Sequence, residues 1–258
     1  MRRGNLTAIF VVSVAALYMQ LLLIRWVGTE FNIFAYLQNS ILVVCLLGMG
    51  MGFVFPIDPQ WAMRRSVFSF FGLAVMLSLP GVRDGFQALA RSLSWFHDFT
   101  VWNEGLFPAQ FGWLAPVVGL LAVLVVGLQL WRIALPFGVL LGAQMAKCDQ
   151  PIKAYSVNVF GSLIGVLTFT LLGALGLPPV YWIGLGVALV LLSVNLAGLQ
   201  LKDKAILYPL LGTLLAAIVG AVFTSDLKTV WSPYQKLAVR ATDEPTEYGV
   251  FVNNSGYQ

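Results

Sequence analysis

The chain has 258 residues, of which 59% are hydrophobic and 10% charged, with a net charge of +4 at pH 7. An average soluble domain carries roughly 25% charged residues, so the charge that would cover a water-facing surface is missing here and lipid is the natural solvent. The fifteen Lys and Arg fall between hydrophobic runs rather than on one face, which argues for loop charges that orient a membrane protein and against a nucleic-acid partner.

A transmembrane helix needs about 20 apolar residues. On that rule helices are expected near 6–27, 34–55, 66–82, 113–146, 154–176, 179–200 and 205–224. The first follows Met1-Arg2-Arg3-Gly4. It is too long for a signal-peptide core and has no small-residue cleavage pattern at its end, so it reads as a retained helix. The third is short and ends at Leu79-Pro80-Gly81.

Between the third and fourth runs lie residues 83–112, where Phe86, Leu89, Leu93 and Phe96 recur at helical spacing with Gln87, Arg91, Ser94 and Asp98 between them. Trp95, Trp102 and Trp113 lie nearby, and the pattern is that of an amphipathic helix in the membrane interface. A lid over a cavity is the functional alternative. His97, beside Asp98, reads as a solvated surface histidine. The fourth run, Trp113 to Ala146, would measure about 50 Å as one helix. Arg132 and Pro136 interrupt it, and proline removes a backbone donor and kinks or ends a helix. A broken helix is expected, one part crossing and the other continuing along the membrane face; a hairpin of two is the alternative.

From Asp226 the pattern changes. Residues 234–240 alternate, 241–246 are turn-rich and 248–252 return to strand formers, the signature of a hairpin outside the membrane. An isolated hairpin is marginal in water and needs a partner. The expected fold is therefore an all-α polytopic membrane bundle of about seven transmembrane helices over residues 1–225, with a short C-terminal β-hairpin within 226–258.

Small residues recur four apart at Gly48 and Gly52, Gly138 and Gly142, and Gly161 and Gly165. Each pair lies on one helix face and lets a neighbouring backbone approach closely, within the bundle or in a homodimer, with a flexible transport hinge as the further alternative. Polar groups at membrane depth must face a partner or the interior. Gln20, Arg25, Glu30, Gln38, Asn39 and Asn158 are the chosen set, with Arg25, Glu30, Gln38 and Asn39 expected to cluster near the turn between the first two helices. Interhelical hydrogen bonding is one reading of them, a polar cavity for a small ligand the other. Arg25 is expected to be satisfied by Glu30 or by the Gln38–Asn39 region. Cys45 and Cys148 fall at different depths and read as free thiols. With one histidine the chain offers no Cys/His metal spacing, and no nucleophile–His–acid set or phosphate loop is present.

Three groups of residues carry a family resemblance. They are Gln20-Leu-Leu-Leu-Ile-Arg25 through Gly48-Met-Gly-Met-Gly52; Leu135-Pro-Phe-Gly138, Gly142, Ala154-Tyr-Ser-Val-Asn158, Gly161-Ser-Leu-Ile-Gly165 and Leu177-Pro-Pro179; and Trp231-Ser-Pro-Tyr-Gln-Lys-Leu237 with Val252-Asn-Asn-Ser-Gly-Tyr-Gln258. Together they resemble the bacterial membrane-bound relatives of spermidine synthase, which join a multi-helix membrane domain to an aminopropyltransferase domain. The resemblance implies that 226–258 opens the small N-terminal β-domain of that enzyme, with Tyr234, Gln235 and Gln258 at the substrate pocket. The chain departs from the family at Gln20, where an acidic residue is usual. The family's Gly-rich nucleotide loop and acidic catalytic residues would follow Gln258, so the 258 residues by themselves are expected to be inactive.

The functional expectation is a membrane domain that anchors a spermidine-synthase-like transferase and passes a polyamine or related molecule. Decarboxylated S-adenosylmethionine would be the cosubstrate of the whole enzyme. An accessory subunit of a larger membrane complex and a small transporter are the alternatives. The resemblance implies a bacterial inner membrane. With seven spans, Arg2, Arg3, Arg64, Arg65, Lys147, Lys153, Lys202 and Lys204 share one side, and the positive-inside rule makes that side, with the N-terminus, cytoplasmic and puts the hairpin outside. Eight spans, with 113–146 split, would return the hairpin to the cytoplasm but put Lys147, Lys153, Lys202 and Lys204 outside.

Overall fold

The computed structural model describes residues 5–31, 34, 38–91, 114–223, 228–241, 248–253 and 255–257. They form helices α1 (Leu6–Glu30), α2 (Gln38–Val54), α3 (Pro59–Ser78), α4 (Pro80–Arg91), α5 (Leu114–Met145), α6 (Pro151–Ala174), α7 (Pro179–Leu196) and α8 (Lys204–Val222). Strands β1 (Lys228–Trp231), β2 (Lys236–Ala241), β3 (Tyr248–Val252) and β4 (Ser255–Tyr257) follow. Among the described residues α1, α5, α6, α7 and α8 are each long and apolar enough to cross a membrane, and the bent pair α3–α4 makes a sixth candidate. The apolar part of α2, Asn39–Val54, is shorter. The chain is a multi-pass membrane protein.

Local sequence fixes the helix ends. Asn5, Asp58 and Asp203 cap α1, α3 and α8 by accepting from backbone N–H groups of the first turn, which supplies partners for donors that a helix start leaves orphaned. Proline opens α3, α4, α6 and α7, where its missing N–H costs nothing. Gly176 and Gly198 follow α6 and α7 with φ of +66° and +78°, the left-handed turn that ends a helix and that glycine adopts without strain.

Helix direction follows from the glycine contacts. A Cβ on Gly161 would lie 2.7 Å from the Phe10 carbonyl, and one on Gly165 2.5 Å from that of Val14. Contact positions rise together along both helices, so α1 and α6 run parallel. The same order holds for α2 and α5, where Cβ atoms on Gly52 and Gly138 would collide with the Leu135 and Met49 carbonyls. All six glycines of the four-residue spacings therefore pack helices within one chain. α1 is the centre of the bundle, in contact with α2, α3, α5, α6, α7 and with Trp26, Leu22 and Tyr18 fully covered.

The starts of α1, α3, α6 and α8 and the ends of α2, α5 and α7 lie at one end of the bundle. The Asn5 N–H donates to Gln144 Oε1 at 3.4 Å, while Gln60 Nε2 and Arg64 Nε donate to Asp203 Oδ2 at 2.7 and 2.5 Å. Arg64, Arg65, Lys147, Lys153, Lys202 and Lys204 all belong to this basic end; Arg2 and Arg3 lie outside the described residues. The sheet sits at the opposite end.

Three expectations change. α5 is one continuous helix of 32 residues across Pro136, because the close α2–α5 seam on both sides of the proline holds the axis and only the bond to the Arg132 carbonyl is lost. The third run starts earlier, at Pro59, and turns through 92° between Ser78 and Pro80 into α4; α4 covers the start of the expected interfacial segment, whose residues 92–112, with His97, lie outside the described residues. The hairpin is a four-stranded antiparallel meander in the order β1-β2-β3-β4, extended at its front by a strand formed from Lys228–Trp231.

An ionic chamber as candidate functional site

The last turns of α1 carry Arg25, Trp26 and Glu30 to the sheet end of the bundle. The sharp turn after Ser78 brings Arg83 of α4 back over that end. On the sheet, alternation along β2 turns Lys236 and Ala238 inward and Leu237 outward. These elements, with the start of α7 and the end of α8, enclose a chamber of about 530 Å³. Trp26, Leu77, Val180 and Trp231 supply apolar wall, and Glu30, Arg83, Lys228 and Lys236 the charge.

Glu30 stands between two cations. Its Oε2 accepts from Arg83 at 3.4 Å and its Oε1 from Lys236 Nζ at 3.3 Å. The three side chains are 5%, 11% and 6% exposed, so each has surrendered most of its hydration, and one carboxylate shared between two cations offsets part of that cost. Arg83 also donates to the exposed Asp84 at 3.2 Å, and Lys236 lies 5.6 Å from the Trp231 ring centre. A helix end, the bent α4 and the sheet are thus tied through one carboxylate.

Arg25 makes a second tie. Its two terminal nitrogens donate to the Ser232 and Pro233 carbonyls, in the turn between β1 and β2. The guanidinium lies 4.9 Å from the ring centre of Trp182, which meets Phe169 and Trp231 edge-on at 5.6 and 5.2 Å. Tyr18 donates to the Trp182 carbonyl at 2.8 Å and so holds that stack to α1. Arg25 Nε and the Trp182 indole N–H have no hydrogen-bond partner among the described residues. The turn itself is closed by Ser232, whose Oγ accepts from the Gln235 N–H at 2.9 Å.

The polar set chosen from sequence separates into several places. Arg25 and Glu30 both reach the sheet but do not pair with each other: five residues along a helix is about 140° of rotation, so they leave α1 in different directions. The Ser232 and Pro233 carbonyls take the role expected of Glu30 or the Gln38–Asn39 region. Asn39 is exposed, and the side chain of Gln38 lies outside the described residues. Asn158 accepts from Ser13 Oγ at 2.7 Å, about 18 Å along α1 from Arg25. Gln20 is 4% exposed, and its amide has no hydrogen-bond partner among the described residues. It borders a void of about 10 Å³ between α1, α2 and α5, room for about one water. Tyr234 and Gln235 stand exposed on the β1–β2 turn; Gln258 lies outside the described residues.

Sequence reasoning missed Arg83, Trp182, Trp231 and Lys236. A signal existed for Lys236, a cation at an inward position of an alternating strand, and for Arg83, three residues past a Pro that bends the chain. Among the described residues that line the chamber, Arg83, Lys228 and Lys236 face Glu30. Comparison with protein-family models, curated proteins and solved structures returns no match.

Proposed function

We propose that this chain is the membrane domain of a spermidine-synthase-like protein, a platform that holds an extramembrane β-domain in fixed orientation on the end of a helical bundle. One observation carries the reading: Arg25 and Glu30, from one helix end, grip the sheet at Ser232, Pro233 and Lys236. A sheet used only as a tether needs no such grip, because a flexible linker keeps two parts together without desolvating charges. The resemblance in 231–237 assigns Tyr234 and Gln235 to the pocket for the nucleoside and amine, and their exposure on the β1–β2 turn leaves room for further strands to complete it. In the natural reading frame, continuation past Gln258 into a strand, a Gly-rich loop and a helix is the expected result. A stop at that codon would favour an accessory membrane subunit.

The orientation follows from the charge rule: the basic end is cytoplasmic in a bacterial inner membrane and the sheet lies on the outer face. Single cysteines at Lys202→Cys and Lys228→Cys, in a background without Cys45 and Cys148, test this with an impermeant thiol reagent on intact cells. Labelling at position 228 alone is expected, and labelling at 202 from outside would reverse the orientation.

A further inference from the structure

The basic end carries a second cavity, on the lipid-facing side of the groove between α3, α5 and α8. It is an open groove of about 640 Å³, and four cations line it: Arg64, Arg65, Arg132 and Lys204. Asp203 is held by Arg64 at 2.5 Å, which leaves Arg65, Arg132 and Lys204 without an ion pair among the described residues. α3 and α8 both begin here, their first turns capped by Asp58 and Asp203. Arg65 is pinned 4.3 Å from the Trp61 ring centre.

Arg132 is the informative residue. Ser66 Oγ donates to the Ile133 carbonyl at 3.0 Å, which sets Arg132 beside the second turn of α3, inside the end of the apolar helices. It has no hydrogen bond or ion pair among the described residues, and neither has Lys204. An arginine at that depth costs a few kcal/mol unless it meets an anion or water. The cavity that would admit one opens beside Phe68 and Tyr208, which are 68% and 61% exposed and offer apolar surface to acyl chains.

We infer that this cavity binds the phosphate of an anionic membrane phospholipid, with Arg65, Arg132 and Lys204 around the headgroup and the acyl chains along Phe68 and Tyr208. The inference does not depend on the transferase reading. A basic pocket between helices at one membrane face has the charge and position for such a headgroup, and the lipid supplies the counter-charge that these cations lack.

The test uses the full chain, delipidated in a neutral detergent and titrated with phosphatidylglycerol or with phosphatidylcholine of the same acyl chains, bound lipid being counted by native mass spectrometry. Phosphatidylglycerol is expected to bind at least about tenfold more tightly. The pair Arg65→Gln with Lys204→Gln should weaken it by about thirtyfold, and Arg132→Gln alone by about fivefold. The pair Lys147→Gln with Lys202→Gln, the same charge change outside the cavity, should leave affinity within about twofold. Equal binding of the two lipids, or equal loss in the control pair, overturns the inference. Millimolar inorganic phosphate displacing the lipid completely would put a soluble anion in the cavity and overturn it as well.

Discussion

Removing the Glu30 charge should undock the sheet while leaving the bundle folded. In Glu30→Gln, Arg83 and Lys236 lose the carboxylate that both touch at 3.3–3.4 Å. At an effective dielectric constant of about 20 each contact is worth roughly 5 kcal/mol before desolvation is counted. Gln can still accept one hydrogen bond, and Arg83 keeps Asp84, so a net loss of about 3 kcal/mol is expected, the lower edge of what breaking a buried pair costs. Because the side chains are at most 11% exposed, solvent screening reduces this little. Hydrogen exchange read by mass spectrometry in lipid nanodiscs should show the β1–β2 amides opening about 100-fold more often, with α1, α6 and α7 unchanged. The double variant Glu30→Gln with Lys236→Met removes the sheet's cation that faces this carboxylate and should recover much of the protection. Exchange within about threefold of wild type in Glu30→Gln would mean that Glu30 does not hold the sheet, as would loss spread evenly over the helices.

Gly138→Ala should lower thermal stability by about 1–3 kcal/mol, since its Cβ meets the Met49 backbone, whereas Gly50→Ala, with nothing within 4 Å, should not; equal melting temperatures would refute the parallel α2–α5 seam. Hydrogen bonds from Arg64 and then Gln60 hold the Asp203 carboxyl below the usual carboxylate range. A lowered folded-state pKa means that its stabilisation is full above the ordinary aspartate pKa and is lost as pH falls through the lowered one. The melting difference between wild type and Asp203→Asn should therefore be present at neutral pH and shrink in strong acid; a difference that grows on acidification would contradict the assignment. The purified 258-residue chain, given decarboxylated S-adenosylmethionine and putrescine, should release no methylthioadenosine, because transfer needs a carboxylate positioned at the attacking amine and Glu30 is already held by two cations. Turnover above background would refute this.

Helix existence was legible because hydropathy over about 20 residues is a strong signal, and the glycine spacings identified two close seams, α2–α5 and α1–α6, but not the α3–α8 approach at Gly220. The ends were less legible. Pro59 as an opening residue moved α3 earlier than its apolar run, since a helix can start in polar sequence when a cap and proline favour it. Pro136 misled, because its kink is a local tendency that packing against α2 overrides. The candidate site was half legible. Arg25 and Glu30 stood out as charges at membrane depth, but their partners are carbonyls and side chains more than 50 residues away, and no periodicity in one sequence encodes which distant segment meets a helix end. The sheet looked unable to stand alone, and its covering partner is the bundle itself.

One face of the sheet lies against the bundle. Position 238 faces inward on β2 and is 1% exposed, while its neighbour at 237 is 38% exposed. With Cys45 and Cys148 removed, Ala238→Cys and Leu237→Cys can be compared by their rates with a water-soluble thiol reagent in membranes. The cysteine at 237 should react readily and the one at 238 only after denaturation. Equal rates at the two positions in the folded protein would contradict it.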